Sequence, residues 1–297
     1  MNKLFTFLFL LISVPVISQN RINLNYKFQT GDSYNVTTDI FSQSTQEVAG
    51  SPQEVSIRQQ IKYNLLFSKN NAASDYNISL KFIKITSLVN QSGYKQFFSS
   101  DSSDNNISKL FHQFLSETLN YQLTEKGKLS AKYTIDSLFP DSSEAKQKFI
   151  FSESVEQKVS NNLPVSIVFP DSLISENNSW TVRDTIKSGI FKFYNQIYTL
   201  DSVSETEYFI SKHADFSSDK NNLIPMNRVY ITYNVSGKIN TDYVLDKNTC
   251  VIKKGQINQT GKGPVNMKYT ENSDPAYTWK MEINNIIKFT SEKQKTD

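Results

Sequence analysis

The 297-residue chain carries 32 Lys and Arg against 29 Asp and Glu, with two histidines and one cysteine. Its net charge of +3 comes from bases interleaved with acids rather than from a basic stripe, which excludes a dedicated nucleic-acid binder. A lone Cys250 excludes an intrachain disulfide and any multi-cysteine metal site.

The first element in chain order is an export signal, residues 1–18. Lys3 precedes an apolar run from Leu4 to Ile17, interrupted only by Thr6, Ser13 and Pro15. Val16-Ile17-Ser18 then supplies short side chains for cleavage, which is expected after Ser18. The run falls short of the about 20 apolar residues that a membrane span needs. No cysteine closes the signal, so no lipid anchor is expected, and no later segment is apolar for long enough to span a bilayer. The mature chain is expected in the periplasm or outside the cell.

Period-two alternation dominates the rest of the chain. From Val55 to Phe67 the odd positions are apolar except Gln59. From Asp75 to Phe82 the even positions Tyr76, Ile78, Leu80 and Phe82 are apolar and the odd ones polar. Val229, Ile231, Tyr233 and Val235 repeat the pattern, as do Trp279, Met281 and Ile283. Such alternation predicts antiparallel strands with one face on a core and one in water. The Asn- and Ser-rich stretch 68–74 predicts a hairpin connection.

Two segments change period. Leu110, Phe111, Phe114, Leu115 and Leu119 fall at helical spacing behind the cap candidates Asp104-Asn105-Asn106. Asp141 and Glu144 form a capping box ahead of Ala145, Phe149, Ile150, Val155 and Val159, and Leu163-Pro164 ends that helical stretch. The chain also echoes itself. Tyr34-Asn35-Val36 corresponds to Trp180-Thr181-Val182, and the strand-turn-strand of 119–129 to that of 241–251. The expected fold is mainly β (α+β), with two related antiparallel curved-sheet sub-domains and a few short amphipathic helices. The divisions are a signal peptide at 1–18, an N-terminal β sub-domain with one helix at 19–140, a helical connector at 141–164 and a C-terminal β sub-domain at 165–297.

No chemical constellation stands out. His112 and His213 have no nucleophile motif beside them, and no G-x-S-x-G elbow exists. Asp101, Asp104 and Asn106 are too few oxygen donors for a calcium loop and read as a helix-capping turn. Glu205 and Glu207 read as the wet side of a strand, and Gly261-Lys262-Gly263-Pro264 as a turn. Cys250, in the apolar stretch Thr249-Cys250-Val251-Ile252, is either buried and inert or a dimer bridge. Aromatics are abundant, with 20 Phe, 15 Tyr and 2 Trp. They either fill a core or line an apolar pocket between sheet and helix, with Phe111, Phe114 and Leu115 as its lining.

The export signal, the Gly31-Asp32-Ser33-Tyr34 strand opener, the Leu163-Pro164 step, Asn178-Ser179-Trp180 and the Tyr243–Val251 strand-turn-strand together resemble an uncharacterised family of exported Bacteroidota-type proteins. That group is similar in layout to the curved sheets of the lipoprotein-carrier (LolA/LolB-like) superfamily. The resemblance implies no functional residue, and its fold implies an apolar ligand. The expected role is therefore a non-catalytic cell-envelope protein that needs no cofactor or metal and binds an apolar ligand such as a lipid. The alternative is a protein- or glycan-interaction module with a filled core.

Overall fold

A computed structural model describes residues 21–48, 50–69, 75–131, 166–183, 186–188, 191–219, 221–226 and 228–294. The export signal and the expected helical connector at 141–164 lie outside these residues. In the first half of the chain, β1 (Ser33–Val48), β2 (Ser51–Lys69), β3 (Tyr76–Gln91), β4 (Tyr94–Ser99), α1 (Asn106–Ser116), β5 (Thr118–Leu123) and β6 (Leu129–Ala131) follow one another. The second half contains β7 (Ser179–Val182), β8 (Ile186–Ser188), β9 (Phe191–Val203), β10 (Glu207–Ser218), β11 (Ile224–Met226), β12 (Val229–Tyr233), β13 (Ser236–Asp246), β14 (Ile252–Lys268) and β15 (Tyr277–Lys293).

All fifteen of these strands belong to one open antiparallel sheet; eleven run in the order β6-β5-β3-β2-β1-β15-β14-β13-β10-β9-β7, while β4 pairs with β3, β8 with β9, and β12 with β11 and β14. The expected division into two sheets gives way to this continuous one. Each half is a meander of the same order, β1-β2-β3-β5-β6 and β7-β9-β10-β13-β14. Strand β15 then pairs with both β14 and β1 and joins them. At the seam Lys293 Nζ lies 2.6 Å from the buried Asp32 carboxylate, whose other oxygen accepts from the Gln29 amide at 2.8 Å. The strand opener thus ties both ends of the described chain into the middle of the sheet.

Alternation decides which face is buried. In β2, Ile57, Gln59, Ile61, Tyr63, Leu65 and Phe67 are all buried on what is here the inner face. In β3 the buried phase runs over even residues to Phe82, then switches to Ile85 and Ser87. The cause is a register shift opposite Lys62 and Tyr63, which leaves Ile83 exposed. Gly261-Lys262-Gly263-Pro264 lies within β14 rather than in a turn.

Two non-sheet segments cover one end of the inner face. Residues 22–28 bring Leu24, Tyr26 and Phe28, and residues 167–174 bring Ile167, Phe169 and Ile174, all buried in the main apolar cluster. Phe28 stacks on Phe67 with centroids 3.7 Å apart and meets Tyr76 edge-on at 5.1 Å. Tyr26 joins the layers: its hydroxyl accepts from the Ile167 amide at 2.7 Å, and its carbonyl accepts from the Tyr76 hydroxyl at 3.0 Å. Helix α1 packs against the same cluster. Asn105 caps it by accepting from the Ser108 amide at 2.8 Å, and Phe114 meets Phe82 at 5.8 Å. A smaller cluster of Ala214, Phe216, Val235, Ile239 and Ile283 occupies the inner face of β10, β13 and β15, with Ile257 of β14 packed against it.

Candidate functional site

Between the two apolar clusters, the inner face carries a belt of polar side chains. Strand register sets them in transverse rows. One row runs Ser87, Gln59, Ile40, Ile287, Ile257, Thr241, Lys212, Tyr198 and Trp180 across nine strands. The next carries Ser42, Asn285, Gln259, Ile239 and Ala214. Ser87, Gln59, Thr241, Gln259, Asn285, Thr38 and Gln196 are all buried.

Part of this belt satisfies itself. Ser42 Oγ donates to Asn285 Oδ1 at 2.6 Å, and Asn285 Nδ2 donates to Gln259 Oε1 at 3.2 Å. The relay stops there, because Gln259 Nε2 is buried with no acceptor. The Thr241 hydroxyl meets that of Tyr243, and the Thr38 hydroxyl meets that of Tyr63. Unsatisfied buried groups such as Gln259 Nε2 cost about 1–3 kcal/mol of desolvation each. A self-contained apolar core has no use for them.

Lys212 is the charged member of the belt. It follows Tyr208 and Ile210 and precedes Ala214 and Phe216 on the inward phase of β10. Its ammonium sits 5.4 Å from the centroid of Tyr198, whose other neighbour Trp180 stacks at 5.4 Å with rings 13° apart. Trp180 Nε1 is held by the Val168 carbonyl at 2.8 Å. The ion pairs of the described residues, Lys84–Asp101, Lys253–Glu207 and Lys293–Asp32, do not include Lys212. Burial without a carboxylate pushes its amine down to about 8. A cation over an aromatic face with no carboxylate paired to it suits an anion or a polar head group.

The residues expected to line a pocket lie on α1. Phe111 and Phe114 are buried in the main cluster, and Leu115 packs against its margin. Of the other sequence candidates, Glu205 lies in the turn before β10 rather than on a strand, and Glu207 opens β10 and pairs with Lys253 at 2.5 Å. Asp101 pairs with Lys84, and Asp104 accepts from Ser102 Oγ at 2.7 Å. Among the described residues no group of three His, Cys, Asp or Glu side chains is placed to hold a metal. His112 Nδ1 is 3.2 Å from the Ser100 carbonyl. His213 Nδ1 is 2.7 Å from Asn240 Oδ1 on the outer face, in a groove of about 570 Å³ that Asn195, Ile197 and Asp215 also line. A second outer groove of about 620 Å³ is lined by Gln43, Thr45, Lys238, Lys262, Glu282 and Asn284, among others.

Cys250 is free and buried, and burial raises its thiol to about 11. The thiolate is the reactive form, and it gains ground only as pH rises towards that value. At pH 8 the native protein is expected to react with a disulfide reagent at least about 100-fold more slowly than in denaturant. A stopped-flow thiol assay with and without guanidinium checks this; equal rates would refute it.

The model of a family of unknown function (DUF6263) matches residues 73–252, more than half of the chain, and the chain belongs to that family. No curated protein matches the sequence. Among solved structures, one on lipid-protein interactions in lipovitellin is similar, with a TM-score of 0.51 and 11% identity over 91% of this chain. The match takes in 26% of the lipovitellin chain, so this chain spans about a quarter of its length. An outer membrane channel from Pseudomonas putida F1 has a TM-score of 0.29 at 8% identity, covering 90% of this chain and 98% of that one. OpdQ of Pseudomonas aeruginosa has a TM-score of 0.24 at 6% identity, covering 90% of this chain and 100% of its own. Among the described residues no helix is long and apolar enough to cross a membrane.

Proposed function

We propose that this member of a family of unknown function is a non-catalytic, exported binding protein of the cell envelope, free of a lipid anchor, that holds a lipid-like ligand against the inner face of its sheet. The observation that carries the reading is the belt. Buried polar side chains, Gln259 Nε2 among them without an acceptor, set among Ile40, Ile257 and Ile287, suit a ligand with an apolar body and a polar end. The likeness to lipovitellin, whose structure concerns lipid-protein interactions, supports the same reading at the level of fold. The kinship with lipoprotein carriers that the sequence suggests belongs to this proposal. Native mass spectrometry of the protein purified from its exporting host tests it. A non-covalent adduct of lipid mass, extractable into organic solvent, is the expected result; a clean apo mass with no uptake of added fatty acid would overturn it.

The outer face favours a second reading, an interaction module for a protein or glycan. Its two polar grooves share Lys238, and Tyr194 and Ile197 are exposed beside them. Loss of a cross-linked envelope partner on changing Lys238 to Glu, with lipid binding intact, would support it; an unchanged cross-linking pattern would count against it.

A further inference from the structure

We propose that Lys212 is the anchor for the head group of a monoanionic, single-chain amphiphile, with a carboxylate as that head. The inference rests on the ligand-binding reading and names the chemistry of the same site.

Lys212 stands on a phase of β10 whose other members are Tyr208, Ile210, Ala214 and Phe216, all buried. Lys212 itself is half-buried, and within the described residues no carboxylate compensates its charge. The ring of Tyr198 offers the ammonium a π face at 5.4 Å but no formal charge. Across the strand pair, Thr241 presents a buried hydroxyl beside that of Tyr243. Lys212 and Thr241 are register partners on adjacent strands, about 4.8 Å apart in backbone spacing, and each is assigned one oxygen of the carboxylate. One cation balances one negative charge, whereas a phosphate monoester dianion would leave half its charge uncompensated in a low-dielectric site.

The rest of the row is assigned to the tail, which must open the packing at Ile40 and Ile287, both buried in the main cluster. From Lys212 the register leads through Thr241 to Ile257, Ile287 and Ile40, four strand spacings or about 19 Å. That is the reach of a long acyl chain. Ile257 packs against both apolar clusters and so lies where they meet.

The test uses the purified exported protein and three probes that share a sixteen-carbon chain: palmitic acid, 1-hexadecanol and hexadecyl phosphate. Binding is followed by calorimetry and by the fluorescence of Trp180, checked against a W279F variant. Wild type is expected to bind palmitic acid at least 10-fold tighter than hexadecanol. K212M is expected to lose that preference while keeping its affinity for hexadecanol, and K212R to retain most of it. The Lys212 Cε resonance, assigned from K212R, is expected to move with palmitic acid and not with hexadecanol. Equal affinities for acid and alcohol, unchanged in K212M, would overturn the head-group assignment and leave the ligand-binding reading standing. A Lys212-dependent preference for hexadecyl phosphate over palmitic acid would overturn the carboxylate. Binding of none of the three would overturn both.

Discussion

Gly127→Ala is expected to destabilise the protein by about 3 kcal/mol. Gly127 has φ +86° in the turn between β5 and β6. A side chain there would strain the backbone, and that alone costs about 1–2 kcal/mol. The larger effect is steric. A Cβ would stand 1.8 Å from the Ile167 carbonyl oxygen and 3.0 Å from Cε2 of Tyr26. Neither neighbour yields easily. Tyr26 is buried between Phe28 and Phe169 and bonded to Ile167, so the turn must lift away from the segments that cover the inner face. Gly93→Ala is the matched control, since Gly93 has φ +88° but open space around its Cα. Urea melts should show a midpoint drop for G127A several times that of G93A. Equal drops would mean that the covering segments do not press on this turn.

Phe216→Ala is expected to cost about 4 kcal/mol. Phe216 is fully buried in the smaller cluster, and its ring lies over two facing glycines, Gly237 of β13 and Gly261 of β14. A Cβ built on Gly261 would fall 2.5 Å from the ring, and one on Gly237 2.8 Å. The absent side chains are therefore the floor on which the ring rests, and removing the ring leaves a void bounded by backbone that cannot collapse into it. This pairing makes a second expectation. Gly261→Ala should be markedly less harmful in the F216A background than alone, because its nearest obstacle is the ring itself. A double-mutant cycle by chemical denaturation measures the coupling; strict additivity would contradict the packing described.

Strand existence was legible in the sequence, and strand partnership was not. The alternation of Ile57 to Phe67 and of Tyr76 to Phe82 marks which residues face the core. It says nothing about which strand lies alongside. The pairing of β1 with β15 joins residues more than 230 positions apart, and its register, Tyr34 with Lys293 through Gln46 with Met281, has no local signature. That is why two related meanders read as two sheets. The echo between halves did carry topology, since the strands it matched occupy equivalent places in the two meanders.

The candidate site was partly written in the same alternation. Gln59 is the one polar residue on an apolar phase, and it lies in the belt. Lys212 breaks the phase of Tyr208, Ile210, Ala214 and Phe216 in the same way, but it belongs to no catalytic motif, and the residue types that chemistry usually needs stand on the other phase of the strand, His213 next to it and Glu207 at the start of β10. The signal that marks it is a charge at an inward position, not a catalytic residue type. The coming together of Lys212, Thr241 and Gln259 depends on the order of β10, β13 and β14, which no local pattern encodes.

The most direct measurement is photo-cross-linking of the purified protein with a fatty acid carrying a diazirine in its tail, followed by peptide mapping. Adducts on the inner-face residues of β13, β14 and β15, around Ile239, Ile257 and Ile287, competed away by unlabelled palmitic acid, are the predicted result. Adducts confined to the outer face, or none above background, would contradict a ligand held on the inner face of this sheet.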